Sequence, residues 1–150
     1  MKQTGDSAKL YSIEFMIPGP PQGKARPRVV RAKSGISLTY TPDKTIAYEE
    51  LVRARYQVAA HGFKFADDAQ VGIQITARYP IPKSKSKRIK AAMLAGQIKP
   101  TKKPDCDNIV KFICDALNEI AYHDDAQIVL VQIAKEYADE SRTDVRLWEI

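Results

Sequence analysis

Hydrophobic and polar positions alternate most cleanly along Val71-Gly-Ile-Gln-Ile-Thr-Ala-Arg-Tyr79, with Val71, Ile73, Ile75 and Ala77 on one side. A period of two predicts a half-buried strand, and Pro80 and Pro82 end it. Leu10 to Ile17 is rich in β-forming side chains and is stopped by Pro18-Gly-Pro-Pro-Gln-Gly23. Arg28–Arg31 and Ile36–Tyr40 flank Lys33-Ser-Gly35, a pattern that predicts a short hairpin with a basic tip.

The period then changes to that of a helix. Thr41-Pro42-Asp43 opens a helix that runs to about Ala60 and stops at His61-Gly62. Ile46, Ala47, Leu51, Ala54 and Val58 mark its expected apolar face. Ser84 or Ser86 is placed to cap a short basic helix through Leu94, ended by Gly96. Ile109, Phe112, Ile113, Ala116, Leu117 and Ile120 form the strongest stripe, predicting a helix from about Asp105 to Ala121. Its opposite face carries Asn108, Lys111, Asp115 and Asn118. Ile128–Tyr137 and Arg142–Glu149 read as strands around an Asp139-Glu-Ser141 turn. The order β-(ββ)-α-β-α-α-β-β predicts an α+β fold, a single compact domain over residues 1–150, with helices packed on a mixed sheet.

Composition changes this picture only modestly. The 150 residues are 44% hydrophobic and 28% charged, within the range of an ordinary globular domain with one core. No apolar run reaches membrane length, and Met1-Lys-Gln-Thr-Gly-Asp6 lacks the apolar core of a signal peptide, so a cytoplasmic location is expected. Cys106 and Cys114, on one helix, would lie about 12 Å apart along its axis, too far for a disulfide. No Cys/His cluster suggests zinc, and nothing points to an organic cofactor.

Net charge is +6, which permits nucleic-acid binding without establishing it. Distribution is more informative. Lys24, Arg26, Arg28, Arg31 and Lys33 form one basic cluster, Lys83, Lys85, Lys87, Arg88 and Lys90 a second, and Lys99, Lys102 and Lys103 a third. The first and third lie in Pro/Gly-punctuated segments, where phosphate-contacting loops are often found.

Into this basic chain the segment from Lys103 to Ile128 sets five aspartates, Asp105, Asp107, Asp115, Asp124 and Asp125. Carboxylates placed where a polyanion would be attracted generally need a divalent cation between the two. Asp105 and Asp107 stand at a helix entrance, where one Asp can serve as the N-cap. Capping does not require two at alternate positions, whereas Mg²⁺ favours a few carboxylates completed by water and phosphate oxygens. Asp124-Asp125 falls in the turn before the next strand, and periodicity alone does not say which end of the helix that turn meets. Lys111 has two readings, an i, i+4 pair with Asp115 worth about 0.2–0.5 kcal/mol or a partner for a phosphate. His123, Tyr122 and Tyr40 have both functional and packing readings.

The pattern Pro104-Asp-x-Asp-Asn-Ile-x-Lys111, then Asp115-Ala-Leu-Asn118, then Asp124-Asp125-x-Gln-Ile128 resembles the RusA family of Holliday junction resolvases. The Pro-rich stretch from Pro18 to Arg28 is a looser match, and the segment from Asn118 to Asp124 is slightly compact beside some members. The resemblance implies a homodimer that cuts four-way junction DNA by paired symmetric nicks, using Mg²⁺ or Mn²⁺. It implies that Asp105, Asp107 and Asp125 are the essential metal-binding carboxylates, with Asp124 a further acidic position, and that Lys111 is the catalytic lysine. It also implies that the Asp124-Asp125 turn lies beside the helix entrance. Lys24, Arg26, Arg28, Arg31, Lys33, Lys102 and Lys103 are the expected DNA contacts. Competing expectations are a less structure-selective flap or fork nuclease, a non-catalytic junction-binding protein, and a protein-binding regulator whose DNA affinity would depend little on salt.

Overall fold

The computed structural model describes residues 12–24, 28–40 and 42–150, without the side chains of Arg28 and Tyr40. Arg26 and the first residues of the expected N-terminal strand therefore lie outside the described residues, as does any stacking role of the Tyr40 ring. In chain order the elements are β1 (Ser12–Pro18), β2 (Arg28–Arg31), β3 (Ser37–Tyr40), α1 (Asp43–Ala60), β4 (Val71–Pro80), α2 (Lys87–Leu94), α3 (Cys106–Ala116), a 3₁₀ turn (Asp125–Gln127), β5 (Ile128–Ala138) and β6 (Arg142–Glu149).

Four strands form one mixed sheet in the order β1-β6-β4-β5, while β2 and β3 pair as a separate antiparallel ribbon. β6 runs antiparallel to both β1 and β4, and β5 runs parallel to β4. This is the expected single α+β domain. β4 sits inside the sheet, and the face expected from its alternation, Val71, Ile73, Ile75, Ala77 and Tyr79, is buried. Ile13, Phe15, Ile17, Val145 and Leu147 extend that face across β1 and β6, under the helices. The other face is polar, with Asp144 held by Arg78 at 2.7 Å and by Arg142 at 3.0 Å. Gly72 lies on that side, where a Cβ would fall 2.5 Å from Trp148 Cε2.

The expected apolar face of α1 is corrected. Ile46 and Val58 are 41% and 71% exposed, while Thr45, Tyr48, Val52, Tyr56 and Ala60 are buried. The tyrosine rings decide this rotation. Tyr56 meets Phe15 edge-on with centroids 5.8 Å apart and donates its hydroxyl proton to the Phe63 carbonyl at 2.8 Å. Tyr48 packs on Phe112 at 5.0 Å. Each ring buries a large apolar area and carries one polar tip, so a count of aliphatic residues misplaces the stripe.

α3 buries the expected Ile109, Phe112, Ile113 and Ala116, but it ends at Ala116 and not near Ala121. Arg53 Nε donates to the Ala116 carbonyl at 2.8 Å, and Glu119 turns the chain at φ 68°. Tyr122 then folds back into the core and donates to the Cys114 carbonyl at 2.7 Å. Leu117 and Ala121 remain buried, so the apolar spacing continues past the last helical turn without the helix. In α2 the cap is Ser86, whose side chain accepts from Ile89 N at 3.3 Å.

Phe112 joins α3, α1 and the sheet, and its truncation leaves a cavity beneath the exposed face of α3. Phe112→Ala is expected to lower stability by about 3–5 kcal/mol. Urea unfolding monitored by far-UV circular dichroism checks this, and a loss below about 1 kcal/mol would mean that the α1–α3 seam relaxes around the gap.

Candidate functional site

α3 meets the sheet through Tyr79, whose hydroxyl donates to the Pro104 carbonyl at 3.0 Å. Burial raises the Tyr79 hydroxyl to about 12, helped by the neighbouring Cys106 and Asp105, so it stays a donor at neutral pH. Asp105 occupies the N-cap position, yet its side chain makes no capping bond. Its carboxylate is exposed and borders a cleft with Lys24, Lys44, Lys103 and Asn108.

Asp107 stands in the first turn of α3 and lines a different depression, the groove between α3 and β5. Lys111 and Asp125 line the same groove, whose floor is Val110, Cys114, Ile128, Val131 and Ile133. Asp107, Lys111 and Asp125 thus line one groove, with Asp105 in the adjoining cleft. The expected place of the Asp124-Asp125 turn beside the helix entrance is corrected. Asp125 stands at Asp115, about two turns past Asp107, because the returning strand meets the far end of α3. Among the described residues, no group of three or more His, Cys, Asp or Glu is gathered closely enough to hold a metal ion.

Asp125 faces Asp115 at the partly buried end of the polar side of α3, carboxyl beside carboxyl. Partial burial raises Asp125, and the hydrogen bond and charge of Asp115, then the charge of Asp124, raise it further against the pull of Lys111. Burial also opposes the charge on Asp115. There the Lys24 hydrogen bond and charge prevail, with help from Asp125 and Lys111, and its carboxyl is held below the ordinary value. Lys24 Nζ lies 3.0 Å from Asp115 Oδ2 and Lys111 Nζ lies 3.5 Å from the same oxygen. The i, i+4 pairing of Lys111 is thus present, but its side chain is 67% exposed and a contact of that kind is easily exchanged.

Asp124 does local work. Its Oδ2 accepts from Ala126 N at 3.0 Å, and Gln127 Oε1 accepts from Asp124 N at 3.3 Å, which makes a capping box. Gln127 Nε2 donates to the Ala66 and Ala69 carbonyls at 2.8 and 3.2 Å, pinning the turn that carries Asp125 to the loop before β4. Gln127 was visible in the sequence only as a matching position. The Asp-x-x-Gln spacing was the signal for its anchoring role. Asp115, read as a bland partner of Lys111, is the neighbour that Asp125 meets.

Tyr122 belongs to the core, and His123 is exposed with Nδ1 3.6 Å from Glu119 Oε2. Both cysteines are free thiols. Burial, then the nearby Asp125, pushes Cys114 up to about 12, which leaves no thiolate nucleophile at neutral pH.

The expected DNA contacts are unequal in setting. Arg31 and Lys33 are exposed on the β2–β3 ribbon, and Lys102 and Lys103 are exposed before α3. The Lys102 ammonium lies 5.9 Å from the Tyr79 ring centroid. Lys24 is engaged by carboxylates. Lys83, Lys85, Lys87 and Arg88 are exposed, while Lys99 binds Glu136 Oε1 at 2.8 Å.

A family model described as Endodeoxyribonuclease RusA matches residues 18–148. The chain belongs to the RusA endodeoxyribonuclease family. The match takes in β2 to β5, the three helices and β6 up to Trp148, and reaches only the last residue of β1. A protein of Bacillus subtilis (strain 168) named "Uncharacterized protein YqaN" is 32% identical over 140 residues, covering 92% of this chain and 96% of that one. RusA membership supports an enzymatic, DNA-directed role in general. No helix among the described residues is long and apolar enough to cross a membrane.

The Asp115–Asp125 contact has a measurable cost. Because the Asp125 carboxyl is raised, folding favours its neutral form, and that stability is present in acid and lost as pH rises through the folded-state value. Asp125→Asn keeps a neutral hydrogen-bonding group in this RusA site. It is expected to melt above wild type at pH 7 without divalent cation, with the gap closing below about pH 4. Melting points across that pH range check this; an unchanged or lower value at pH 7 would show that the repulsion is not felt.

Proposed function

We propose that this RusA-family protein is a metal-dependent endonuclease that resolves four-way DNA junctions by paired, symmetric nicks. The observation that carries the reading is the shared groove of Asp107, Lys111 and Asp125, in a chain whose Arg31, Lys33, Lys102 and Lys103 are exposed. Its donors are carboxylate oxygens, which suit Mg²⁺ or Mn²⁺. Mg²⁺ needs only one or two protein carboxylates when phosphate and water complete its shell, so the lack of a preformed cluster among the described residues is compatible with this chemistry. Asp107 and Asp125 are the residues proposed to hold the cation, with Asp105 joining from the adjoining cleft. Asp124 is a weaker candidate because its carboxylate is engaged in the capping box.

When bound, such a cation would polarise the phosphate and lower the pKa of the attacking water. The chain's own residues supply the rest. Lys111, exposed on the groove, neutralises charge that develops on the phosphoryl oxygens. Asp115 borders Asp125, and Gln127 holds the turn that carries it. Arg31, Lys33, Lys102 and Lys103, with Arg26 and Arg28, are proposed to contact DNA phosphates.

A homodimer would present two such grooves to the two equivalent strands of a junction. The outer edge of β5 supports association. Val129 and Leu130 are 57% and 41% exposed there, and among the described residues no strand pairs with that edge.

Purified protein with Mg²⁺ is expected to nick synthetic four-way junctions in opposed strands of like polarity, and to lose this activity in EDTA. Asp107→Asn should reduce cleavage by about 100-fold or more while junction binding persists. Cutting of flaps or duplex with junctions left intact would favour a less structure-selective nuclease, and binding without any cleavage a non-catalytic junction binder. Leu130→Asp is expected to shift sedimentation from dimer to monomer; an unchanged sedimentation coefficient would remove β5 from the interface.

A further inference from the structure

We propose that Lys24 is a positioning residue that latches the Pro-rich arm after β1 onto α3 and, through Asp115, sets the place of Asp125. Its consequence for cleavage rests on the nuclease reading above; the latch itself does not. Lys24 Nζ donates to Asp115 Oδ2 at 3.0 Å and stands 3.7 Å from Glu49 Oε2. One ammonium thus bridges the arm, α1 and α3. All three side chains are partly withdrawn from water, at 30%, 20% and 19% exposure for Lys24, Glu49 and Asp115. That sets them apart from a fully solvated surface pair, whose contribution is small.

The arm has little room to move. Gly19 N donates to the Ser141 carbonyl at 3.3 Å, fixing its start beside the β5–β6 turn. Gly23 lies flush on the first turn of α3, where a Cβ would fall 2.5 Å from Asn108 Nδ2 and 3.0 Å from Pro104 Cβ. Lys24 closes the contact one residue later. Beyond it comes the β2–β3 ribbon with exposed Arg31 and Lys33, so the latch sets where the path toward that basic ribbon leaves α3.

The same bond reaches the groove. Asp115 accepts from Lys24 and faces Asp125, while Lys111 stands 3.5 Å from the oxygen that Lys24 uses. With Lys24 removed, Asp115 would draw Lys111 inward as its remaining counter-charge, away from an incoming phosphate. Asp115, no longer neutralised by Lys24, would also repel Asp125 more strongly and displace it. A lysine engaged by two carboxylates is poorly free to neutralise a phosphate, which separates this role from direct DNA contact.

Three measurements on the full chain test the latch. A double-mutant cycle of Lys24→Met with Asp115→Asn, followed by urea unfolding without DNA or metal, should show at least threefold coupling in the unfolding constant. Additive effects would overturn the latch. The salt dependence of junction binding in EDTA should keep its slope in Lys24→Met, whereas a slope shallower by about 0.9 would identify a phosphate contact and overturn it. At saturating junction with Mg²⁺, Lys24→Met should lower kcat about tenfold, and Lys24→Arg, able to bridge both carboxylates, should recover most of it. Equal kcat in wild type and Lys24→Met would overturn the link to the groove. If wild type cuts no DNA, the nuclease reading fails and the unfolding cycle alone decides the latch.

Discussion

Burial of Ile109, Phe112, Ile113 and Ala116 removes the rotational freedom of α3, and the rest of the site depends on that constraint. Once this stripe is committed to the core, Asp107, Lys111 and Asp115 must emerge along the opposite side at successive turns, the first two lining the groove toward β5. Tyr79 fixes the helix entrance by bonding Pro104, and Arg53 fixes its end by bonding Ala116. A helix held at both ends and along one face places its polar groups as firmly as its apolar ones. The parallel pairing of β4 with β5 then returns the chain beside it and delivers Asp125 to Asp115.

That delivery works against local electrostatics. Two carboxyls meet where one is raised and the other is held down by Lys24. Such an arrangement persists because the surrounding structure over-determines it, through the Asp124–Gln127 capping box on one side and the arm on the other. The groove floor is apolar, so charge at its rim is less well solvated than on an open surface.

Legibility differed from residue to residue for identifiable reasons. β4 was plain because its alternation continues from Val71 to Tyr79 with proline after it. The buried side of α1 was misread because Tyr48 and Tyr56 bury rings while carrying hydroxyls, and a pattern of aliphatic residues rotates away from them. The end of α3 was placed too late because Leu117 and Ala121 keep the apolar spacing while the backbone turns at Glu119 to bury Tyr122. Asp105 and Asp107 stand at alternate positions of the helix entrance, where the chain winds around the axis, and they border adjoining depressions that spacing alone does not reveal.

The sequence by itself determined which residues could carry the chemistry: a run of aspartates and one lysine on the polar side of an amphipathic helix, in a basic chain. Periodicity and residue type are local, and they were enough for that. Only tertiary structure decided which groups meet. The contact of Lys24 with Asp115 spans 91 positions, and the contact of Asp115 with Asp125 depends on a returning strand and a capped turn. No local pattern encodes such meetings, because they follow from the packing of whole elements around one core.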